Sequence, residues 1–263
     1  MALKRVYQDR KYYNRELETL LQLSHPNIVR LNYFSVDEKT EHGCYLNLFF
    51  ELGDVSFEQL IAQKARFSER EVRGFFLQGL AALKYLESMN IVHRDIKPAN
   101  ILLVGGRAIK ICDFGSAKRV SKNEYNSTYI CSRYYRAPEN ILGIVDYDCR
   151  IDVWSMGLSF LELFVFSPVF SGESNKDQLS KILEVTSVSE TCRIKHNLHA
   201  CRSIGIENYL KPIVSDPGLV FLFEHSIVFE RDRRLQASKL IEYESAFEPG
   251  AEDTQKFAGA ACM

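Results

Sequence analysis

Apolar residues in the first part of the chain follow mainly β-type patterns. Two β-rich runs, Ile28–Val36 and Cys44–Phe50, are separated by a charged loop with Gly43, which predicts an antiparallel pair of strands. Ala2–Tyr7 predicts the end of another strand. Between these segments, leucines at spacings of three and four predict an amphipathic helix from about Tyr12 to Leu23. We therefore expect a small β-rich part at the start of the chain.

Beyond residue 54 the pattern becomes mainly helical. Ser68 and Glu71 form a capping-box sequence ahead of a long apolar stripe, which predicts the start of a long helix. Gly105-Gly106 predicts a hairpin between short strands at Ile101–Val104 and Ala108–Ile111. Further helices are predicted at Asp152–Phe166, Lys176–Val185, Pro217–Phe229 and around Ala237–Phe247. The order, strands first and helices afterwards, indicates an α+β protein.

Composition and charge narrow the class of protein. The 263 residues include 46% hydrophobic and 25% charged residues, a balance typical of a folded soluble domain. Basic and acidic residues number 33 and 34, so no overall field favours nucleic acid or anionic lipid. The most apolar stretch, Gly157–Phe170, is too short to span a bilayer. We expect an intracellular protein of the cytoplasm or nucleus, without nucleic-acid or membrane partners.

The cysteines indicate reduced thiols. There are seven of them, an odd number, and no two form a C-x-x-C pair. A disulfide framework or a zinc site would need a more regular arrangement. We therefore expect no structural disulfide.

Three motifs carry the functional signal. His93–Asn100 reads HRDIKPAN, Asp113-Phe114-Gly115 follows eighteen residues after Asp95, and Ala137-Pro138-Glu139 comes later. They occur in the order of the catalytic-loop, metal-binding and activation-segment signatures of protein kinases. Each short piece alone could be an ordinary turn or a buried histidine, but the ordered set resembles a protein kinase.

The chemistry of phosphoryl transfer explains these residue types. A carboxylate at Asp95 can orient a substrate hydroxyl and accept its proton, while Lys97 can reach the transferring phosphate. Asn100 and Asp113 supply hard oxygen ligands for Mg²⁺. A lysine at position 97 is typical of serine/threonine kinases, so tyrosine is not expected as the main substrate.

Lys4 and Glu16 are candidates for an ion pair at the nucleotide. Lys4 lies in an A-x-K sequence, and Glu16 follows twelve residues later at the start of the predicted helix. Taken alone, these residues would more often be a solvated arm and a surface glutamate. Their spacing and the motifs downstream favour a lysine on the α and β phosphates of ATP, oriented by an acid.

Longer strings identify a particular family. KRVYQDRKYYNRE, HPNIVRLNYF, ICDFGSAK and YICSRYYRAPE closely resemble the glycogen synthase kinase-3 (shaggy) family. The resemblance implies a bilobal α+β kinase fold that uses ATP and Mg²⁺ and acts on protein substrates. It implies one kinase domain over residues 1–263, with a partial N-lobe at 1–51, the hinge and C-lobe at 52–247 and a loose tail at 248–263.

The same resemblance implies a way of choosing substrates. The family prefers a serine or threonine four residues before one that is already phosphorylated. Carried over by motif, the priming phosphate is held by Arg15, Arg94 and Lys118. An alternative is that Arg94 anchors a phosphorylated residue of the protein's own activation loop. Tyr129 matches the loop tyrosine that the family phosphorylates on itself.

Further positions follow from the family pattern. Glu51 and Gly53 fall where hinge backbone groups bond adenine. Cys112, just before Asp113, is either a reactive thiol beneath the nucleotide or a small buried residue, and the second interpretation is favoured. The Leu163–Leu179 region corresponds to the family's scaffold-binding surface, although core packing explains most of its residues equally well.

One family motif is missing. No G-x-G-x-x-G occurs, and the chain begins within the third strand of the family pattern, which suggests N-terminal truncation. Two functional classes remain open. The favoured one is an ATP-dependent serine/threonine kinase that prefers primed S/T-x-x-x-pS/pT sites. The alternative is a kinase-shaped pseudoenzyme or scaffold that binds partners without efficient use of ATP.

Overall fold

A three-stranded sheet precedes a larger helical part in the computed structural model, which describes residues 1–9, 14–37, 43–120, 131–199 and 202–247. The strands in these ranges are Ala2–Asp9 (β1), Leu31–Asp37 (β2), Gly43–Phe50 (β3), Val55–Ser56 (β4), Ile91–Val92 (β5), Ile101–Val104 (β6), Ala108–Ile111 (β7) and Lys118–Arg119 (β8). The α+β class is confirmed.

The helices complete the architecture. They are Arg15–Leu20 (α1), Phe57–Ala62 (α2), Glu69–Ser88 (α3), Pro138–Ile141 (α4), Arg150–Val165 (α5), Asn175–Val185 (α6), Glu190–Lys195 (α7), Ile206–Leu210 (α8), Pro217–Ser226 (α9) and Ala237–Glu244 (α10). Short 3₁₀ turns occur at Pro98–Asn100, Phe114–Ser116, Arg133–Tyr135, Arg231–Arg233 and Ser245–Phe247. None of the described helices is long and apolar enough to cross a membrane.

The N-terminal sheet places Lys4 on its inner side. Its strand order is β1-β3-β2, and both pairs are antiparallel. Lys4 lies opposite Leu48, which is fully buried, and Leu48 in turn lies opposite Phe34. The Asn14 side chain accepts a hydrogen bond from the Leu17 N–H and so begins α1. This helix carries the buried Glu16 close to the sheet.

One predicted strand begins later than expected. The run Ile28–Val36 pairs within the sheet only from Leu31 onward. Ile28 instead forms an isolated parallel bridge with Ile111 of β7, and the Val29 N–H donates to the Ile111 carbonyl at 2.9 Å. The predicted strand is therefore confirmed from Leu31 onward, whereas Ile28 and Val29 pair with a distant hairpin and Arg30 pairs with Glu51.

The helical part is built around α3 and α5. Ser68 and Glu71 form both hydrogen bonds of the predicted capping box at the start of α3. Phe76 of α3 stacks on Phe160 of α5 with ring centroids 4.8 Å apart, and Phe223 of α9 packs against Phe76. Because α5 is buried on nearly all sides, it is the central support of this lobe.

Several helix boundaries differ from the predictions. The predicted helix from about Tyr12 to Leu23 ends at Leu20, and its first predicted residues, Tyr12 and Tyr13, lie outside the described residues. Helix α9 ends at Ser226 rather than Phe229. The short helices α7 and α8 were not predicted. They contain six and five residues, too few for an apolar period to be recognised.

Candidate active site

The segment His93–Asn100 connects β5 to β6 and is fixed by a carboxylate from α5. Asp152 accepts the backbone N–H of His93 at 2.6 Å and that of Arg94 at 2.9 Å. Arg94 has a left-handed backbone with φ of 67°. This conformation is costly for a residue with a side chain. Asp152 therefore holds the loop in a shape that it would not adopt alone.

The fully buried His93 side chain connects this loop to Cys112 and Phe114. Its Nε2 lies 3.0 Å from the Cys112 carbonyl, and its ring meets Phe114 edge-on at 4.7 Å. The Asp95 N–H is 3.3 Å from His93 Nδ1. Burial lowers the pKa of His93 to about 4, so the imidazole is neutral near pH 7. Nε2 then carries the proton that it donates to the carbonyl.

We expect His93 to make the protein less stable as the pH falls. Its pKa is depressed from 6.5 to about 4 in the folded chain. Between these pH values the imidazole is protonated in the unfolded chain but stays neutral in the folded chain. The free energy of unfolding therefore decreases as the pH falls from 6.5 toward 4. The loss should reach about 3 kcal/mol. Urea unfolding of wild type and His93→Gln across this range measures the difference.

The difference between the two proteins is needed because another buried group acts in the opposite direction. Burial raises the pKa of Asp152 to about 7, which favours the folded chain at lower pH. Subtracting the His93→Gln curve removes contributions common to both proteins. A constant difference in unfolding free energy across the pH range would contradict the role assigned to His93.

Four polar groups surround the Asp95 carboxylate and the main chain beside it. Lys97 Nζ donates to Asp95 Oδ2 at 2.7 Å, and the N–H and hydroxyl of Ser132 donate to Oδ1 at 3.1 and 3.0 Å. Asn100 Nδ2 donates to the Asp95 carbonyl at 2.8 Å and lies 3.2 Å from Oδ2. Lys97 also donates to Ser132 Oγ at 3.0 Å. The carboxylate is thus held in one orientation by charge and hydrogen bonds.

A second carboxylate belongs to Asp113, which lies in a different segment from Asp95. Asp113 has φ of 63° and precedes the 3₁₀ turn Phe114–Ser116. Lys4 Nζ contacts Asp113 Oδ1 at 2.8 Å and both Glu16 oxygens at 2.8 and 2.9 Å. The structure therefore brings together Lys4, Glu16 and Asp113 from three separate segments.

The charges of this cluster reinforce one another. Burial acts to lower the pKa of Lys4, but the hydrogen bonds to Asp113 and Glu16 outweigh it and raise that pKa. Burial likewise acts to raise the pKa of Asp113, but the bond from Lys4 lowers it. Both side chains are consequently charged at neutral pH.

An open cleft of about 350 Å³ lies between Lys4 and the hinge. Its walls combine apolar side chains, including Val29, Phe50 and Leu102, with Glu51 and Gly53. A Cβ at Gly53 would come within 2.7 Å of the Leu102 side chain, so a larger residue could not follow the same path. The cleft is suited to a flat apolar ring with a charged group extending toward Lys4.

The donor groups at this cleft fit Mg²⁺. The described part of the chain contains no cluster of three or more His, Cys, Asp or Glu side chains that could hold a metal ion. Mg²⁺ needs no such cage, since one or two protein oxygens suffice when phosphates and water complete its shell. Asp113 and Asn100 can supply these oxygens. Their segments are joined by a 3.0 Å bond from the Cys112 N–H to the Asn100 carbonyl.

Cys112 lines the cleft but is not an activated thiol. Burial, followed by the nearby Asp113 charge, raises the pKa of its thiol to about 12. The reactive species of cysteine is the thiolate. The interpretation as a small, half-buried apolar residue is therefore the one that fits the structure.

The residues expected at a priming phosphate occupy one side of the catalytic segment. Lys118 of β8 lies opposite Val92 of β5, two positions before Arg94. Arg94 Nε donates to the Ser116 carbonyl at 2.6 Å, and α1, which begins with the exposed Arg15, contacts the same turn. Arg94 thus contacts the Phe114–Ser116 turn, Lys118 lies on the strand that follows it, and Arg15 begins a helix that packs against it.

Two other predicted sites stay predictions. Tyr129 lies outside the described residues. In the Leu163–Leu179 region, Leu163 and Phe170 are buried in the core and Leu179 is half-buried, so packing accounts for these residues.

Sequence reasoning missed three supports of the site. Ser132 touches Asp95, Asp152 bonds the catalytic segment, and the buried Tyr147 hydroxyl accepts from Arg94 Nη1 at 3.3 Å. Ser132 did occur in a string that marks the family, whereas Asp152 read only as the start of a helix. Their functions depend on contacts between distant segments, which spacing alone does not reveal.

Comparison with known proteins identifies the family. The model of the protein kinase domain matches residues 1–244, which is most of the chain. The chain belongs to the protein kinase family. The sheet, the helical lobe and the cleft between them are accordingly the two lobes and the hinge cleft of this kinase.

Three relatives specify the family more closely. The kinase is 44% identical over 246 residues to a probable serine/threonine-protein kinase MRK1 homolog of Encephalitozoon cuniculi, covering 91% of this chain and 76% of the relative. It is 41% identical over 206 residues to serine/threonine-protein kinase RIM11/MSD1 of Saccharomyces cerevisiae, and the match covers 75% of this chain and 56% of the relative. It is 45% identical over 195 residues to glycogen synthase kinase 1 of Pyricularia oryzae, and the match covers 70% of this chain and 48% of the relative.

These relatives confirm the resemblance to the glycogen synthase kinase-3 family and the class of serine/threonine protein kinases. The matched kinase region spans about half the length of two of the relatives, at 56% and 48%, and 76% of the third.

Proposed function

We propose that this chain transfers the γ-phosphoryl group of ATP to serine or threonine hydroxyls of proteins, with Asp95 as the group that receives the hydroxyl proton. The observation that carries the proposal is the environment of Asp95. Its carboxylate is oriented by Lys97, Ser132 and Asn100, and the Asp95 side chain is still 17% exposed to solvent. A substrate hydroxyl can therefore reach it.

The neighbours of Asp95 have separate tasks in this proposal. Asp95 turns the hydroxyl toward the γ-phosphorus and accepts its proton as the new O–P bond forms and the bond from that phosphorus to the oxygen of the leaving ADP breaks. Lys97, 2.7 Å from Asp95, supplies a positive charge next to the transferring group. Ser132 keeps the activation segment at the correct distance from the base. Most of the rate gain comes from positioning and charge, as phosphoryl transfer requires.

ATP and Mg²⁺ would occupy the cleft that Lys4, Glu51 and Asp113 line. The hinge at Glu51 and Gly53 would hold the adenine by its backbone, and Lys4, fixed by Glu16, would hold the α and β phosphates. Asp113 and Asn100 would hold the metal. Mg²⁺, when bound, neutralises negative charge on the phosphates.

A preference for primed substrates is the second part of the proposal. Arg15, Arg94 and Lys118 come from the small lobe, the catalytic segment and the activation segment. A phosphate on the substrate would bind these three cations and draw together the parts that catalysis needs aligned. The recognition site would then lie four residues beyond the reacting hydroxyl.

We expect Lys118→Ala to lower kcat/KM for a primed S-x-x-x-pS peptide by roughly 10–100-fold, because one charge-assisted bond to the phosphate is lost. The same peptide without phosphate should be affected little, since no anion then occupies the cluster. Steady-state assays of wild type and variant with both peptides measure the effect.

Arg119→Ala is the matched control. Arg119 follows Lys118 on β8, is exposed, and donates to Gln22 Oε1 at 2.9 Å. Its replacement should leave the ratio between primed and unprimed peptides unchanged. An equal loss on both peptides for Lys118→Ala would show that Lys118 supports the segment only. Equal wild-type rates on both peptides would remove the priming proposal but not the kinase proposal.

A further inference from the structure

Lys110, which the proposed nucleotide chemistry does not use directly, joins three separate segments behind the hinge. Lys110 Nζ lies 2.9 Å from Glu51 Oε1 and donates to the Pro26 carbonyl at 2.8 Å. The same Glu51 oxygen accepts the Arg30 N–H at 2.7 Å, and the Glu51 N–H donates to the Arg30 carbonyl at 3.1 Å. The result is a closed set of polar contacts, which we name the hinge junction.

The hinge junction connects the two lobes. Lys110 belongs to β7, part of the hairpin of the helical lobe, whereas Pro26 and Arg30 lie between α1 and β2 of the small lobe. Glu51 directly follows β3, where the chain crosses from one lobe to the other. The Glu51 side chain therefore ties the crossing point to β7 of the helical lobe and to the segment before β2 of the small lobe.

Glu51 faces two clefts. It lines the nucleotide cleft together with Lys4 and Asp113, and it also lines a second cleft of about 340 Å³ behind the hinge, where Lys110 lies. Lys110 is not among the residues that line the nucleotide cleft. Glu51, which contacts Lys110 and lines both clefts, therefore links Lys110 to the nucleotide cleft.

The environment makes these contacts stronger than an ordinary surface pair. The side chains of Lys110 and Glu51 are only 16% and 26% exposed. Burial acts to raise the pKa of Glu51, but the bonds from Lys110 and Arg30 outweigh it and lower that pKa. A partly buried carboxylate with two donors holds its geometry better than a solvated pair, which contributes little.

We propose that Lys110 is a positioning residue. By binding the Glu51 carboxylate in the second cleft, it fixes the hinge backbone in the conformation that binds nucleotide. The proposal rests on the proposed use of the hinge for adenine. The hinge junction occurs in the same conformation as the Lys4 contacts with Glu16 and Asp113.

The first test needs no nucleotide. Amide hydrogen exchange is measured at Arg30 and Glu51 in wild type, Lys110→Met and Lys110→Arg. We expect exchange at both amides to be roughly three- to tenfold faster in Lys110→Met, because their bonds lose the charge that fixes the carboxylate. Lys110→Arg, which keeps the charge and the donors, should resemble wild type. Unchanged exchange in Lys110→Met would overturn the proposal.

Lys181→Met is the matched control. Lys181 also contacts a carboxylate, Asp177 at 3.2 Å, and a backbone carbonyl, that of Ser171, but it does so within the helical lobe. This variant should leave exchange at Arg30 and Glu51 unchanged. Faster exchange at these amides in both variants would reveal a general loss of stability and would also overturn the proposal.

The second test measures the dissociation constant of Mg²⁺-ADP by calorimetry. Lys110→Met and Glu51→Gln should each weaken binding about fivefold, and the double variant should be no weaker than either single one, because both act through one contact. Lys110→Arg and Lys181→Met should bind as wild type does. Equal affinity of Lys110→Met and wild type, or additive losses, would overturn the positioning role.

The two tests separate this inference from the proposed function. If wild type itself failed to bind Mg²⁺-ADP, the kinase proposal would fall and the nucleotide role of Lys110 with it. Faster exchange in Lys110→Met would then still show that the hinge junction orders the crossing point.

Discussion

Asp95→Asn is expected to lower kcat by about 10²–10⁴-fold, because the amide cannot accept the hydroxyl proton. The variant keeps an oxygen that can accept the bonds from Ser132, so the segment should keep its shape. The measurement is the initial rate of peptide phosphorylation at saturating ATP. The thermal unfolding midpoint of the same samples should stay close to that of wild type.

Two controls make this result decisive. Wild type, Asp95→Asn and an inactive Asp95→Asn, Asp113→Asn double variant are purified in parallel from the same host. The residual activity of the double variant measures contaminating kinase. Ser132→Ala removes one donor to Asp95 but keeps the base, so it should lose less activity than Asp95→Asn. Near wild-type rates for Asp95→Asn, after subtraction of the background, would mean that Asp95 is not the base.

Arg234→Met is expected to lower the free energy of unfolding by about 3–5 kcal/mol. The Arg234 side chain is fully buried and forms two bonds with Glu139, at 2.8 and 3.0 Å. It also donates to the backbone carbonyls of Val228 and Arg150 and lies over the Trp154 ring. Removing it leaves a buried, unpaired carboxylate in the activation segment. Urea denaturation measures the loss.

The neighbouring arginine provides the comparison. Arg233 is 64% exposed and lies 3.5 Å from Glu230, so Arg233→Met should change the unfolding free energy by less than about 0.5 kcal/mol. The double variant Glu139→Gln, Arg234→Met should lose less than the sum of its single variants, since neither charge is then left alone. Additive losses would argue against a direct pair.

Local signals predicted the elements that local contacts stabilise. The hairpin of Ile101–Val104 and Ala108–Ile111 has the predicted bounds because two adjacent glycines, both with positive φ, allow its turn. The start of α3 likewise followed from Ser68 and Glu71. In both cases, residues close in sequence supply the hydrogen bonds.

Contacts between distant segments account for the differences. Ile28 and Val29 have strand-forming side chains, but Ile111 of the helical lobe supplies their partners, so the strand of the small lobe begins only at Leu31. The candidate site shows the same division. Motif spacing selected Asp95 and Asp113, whereas Lys110 gave no signal because its partners, Glu51 and Pro26, are far away in sequence.

The state of the Lys4 amine bears on how ligands for this cleft should be designed. A lysine attacks an acyl or sulfonyl group only as the free amine, and the two carboxylates beside Lys4 raise its pKa and keep it protonated. The thiol of Cys112, with a pKa of about 12, is equally unreactive. Electrophilic probes aimed at the cleft should therefore label these two residues slowly, and reversible ligands that carry an acceptor for the Lys4 ammonium are the better match to its chemistry.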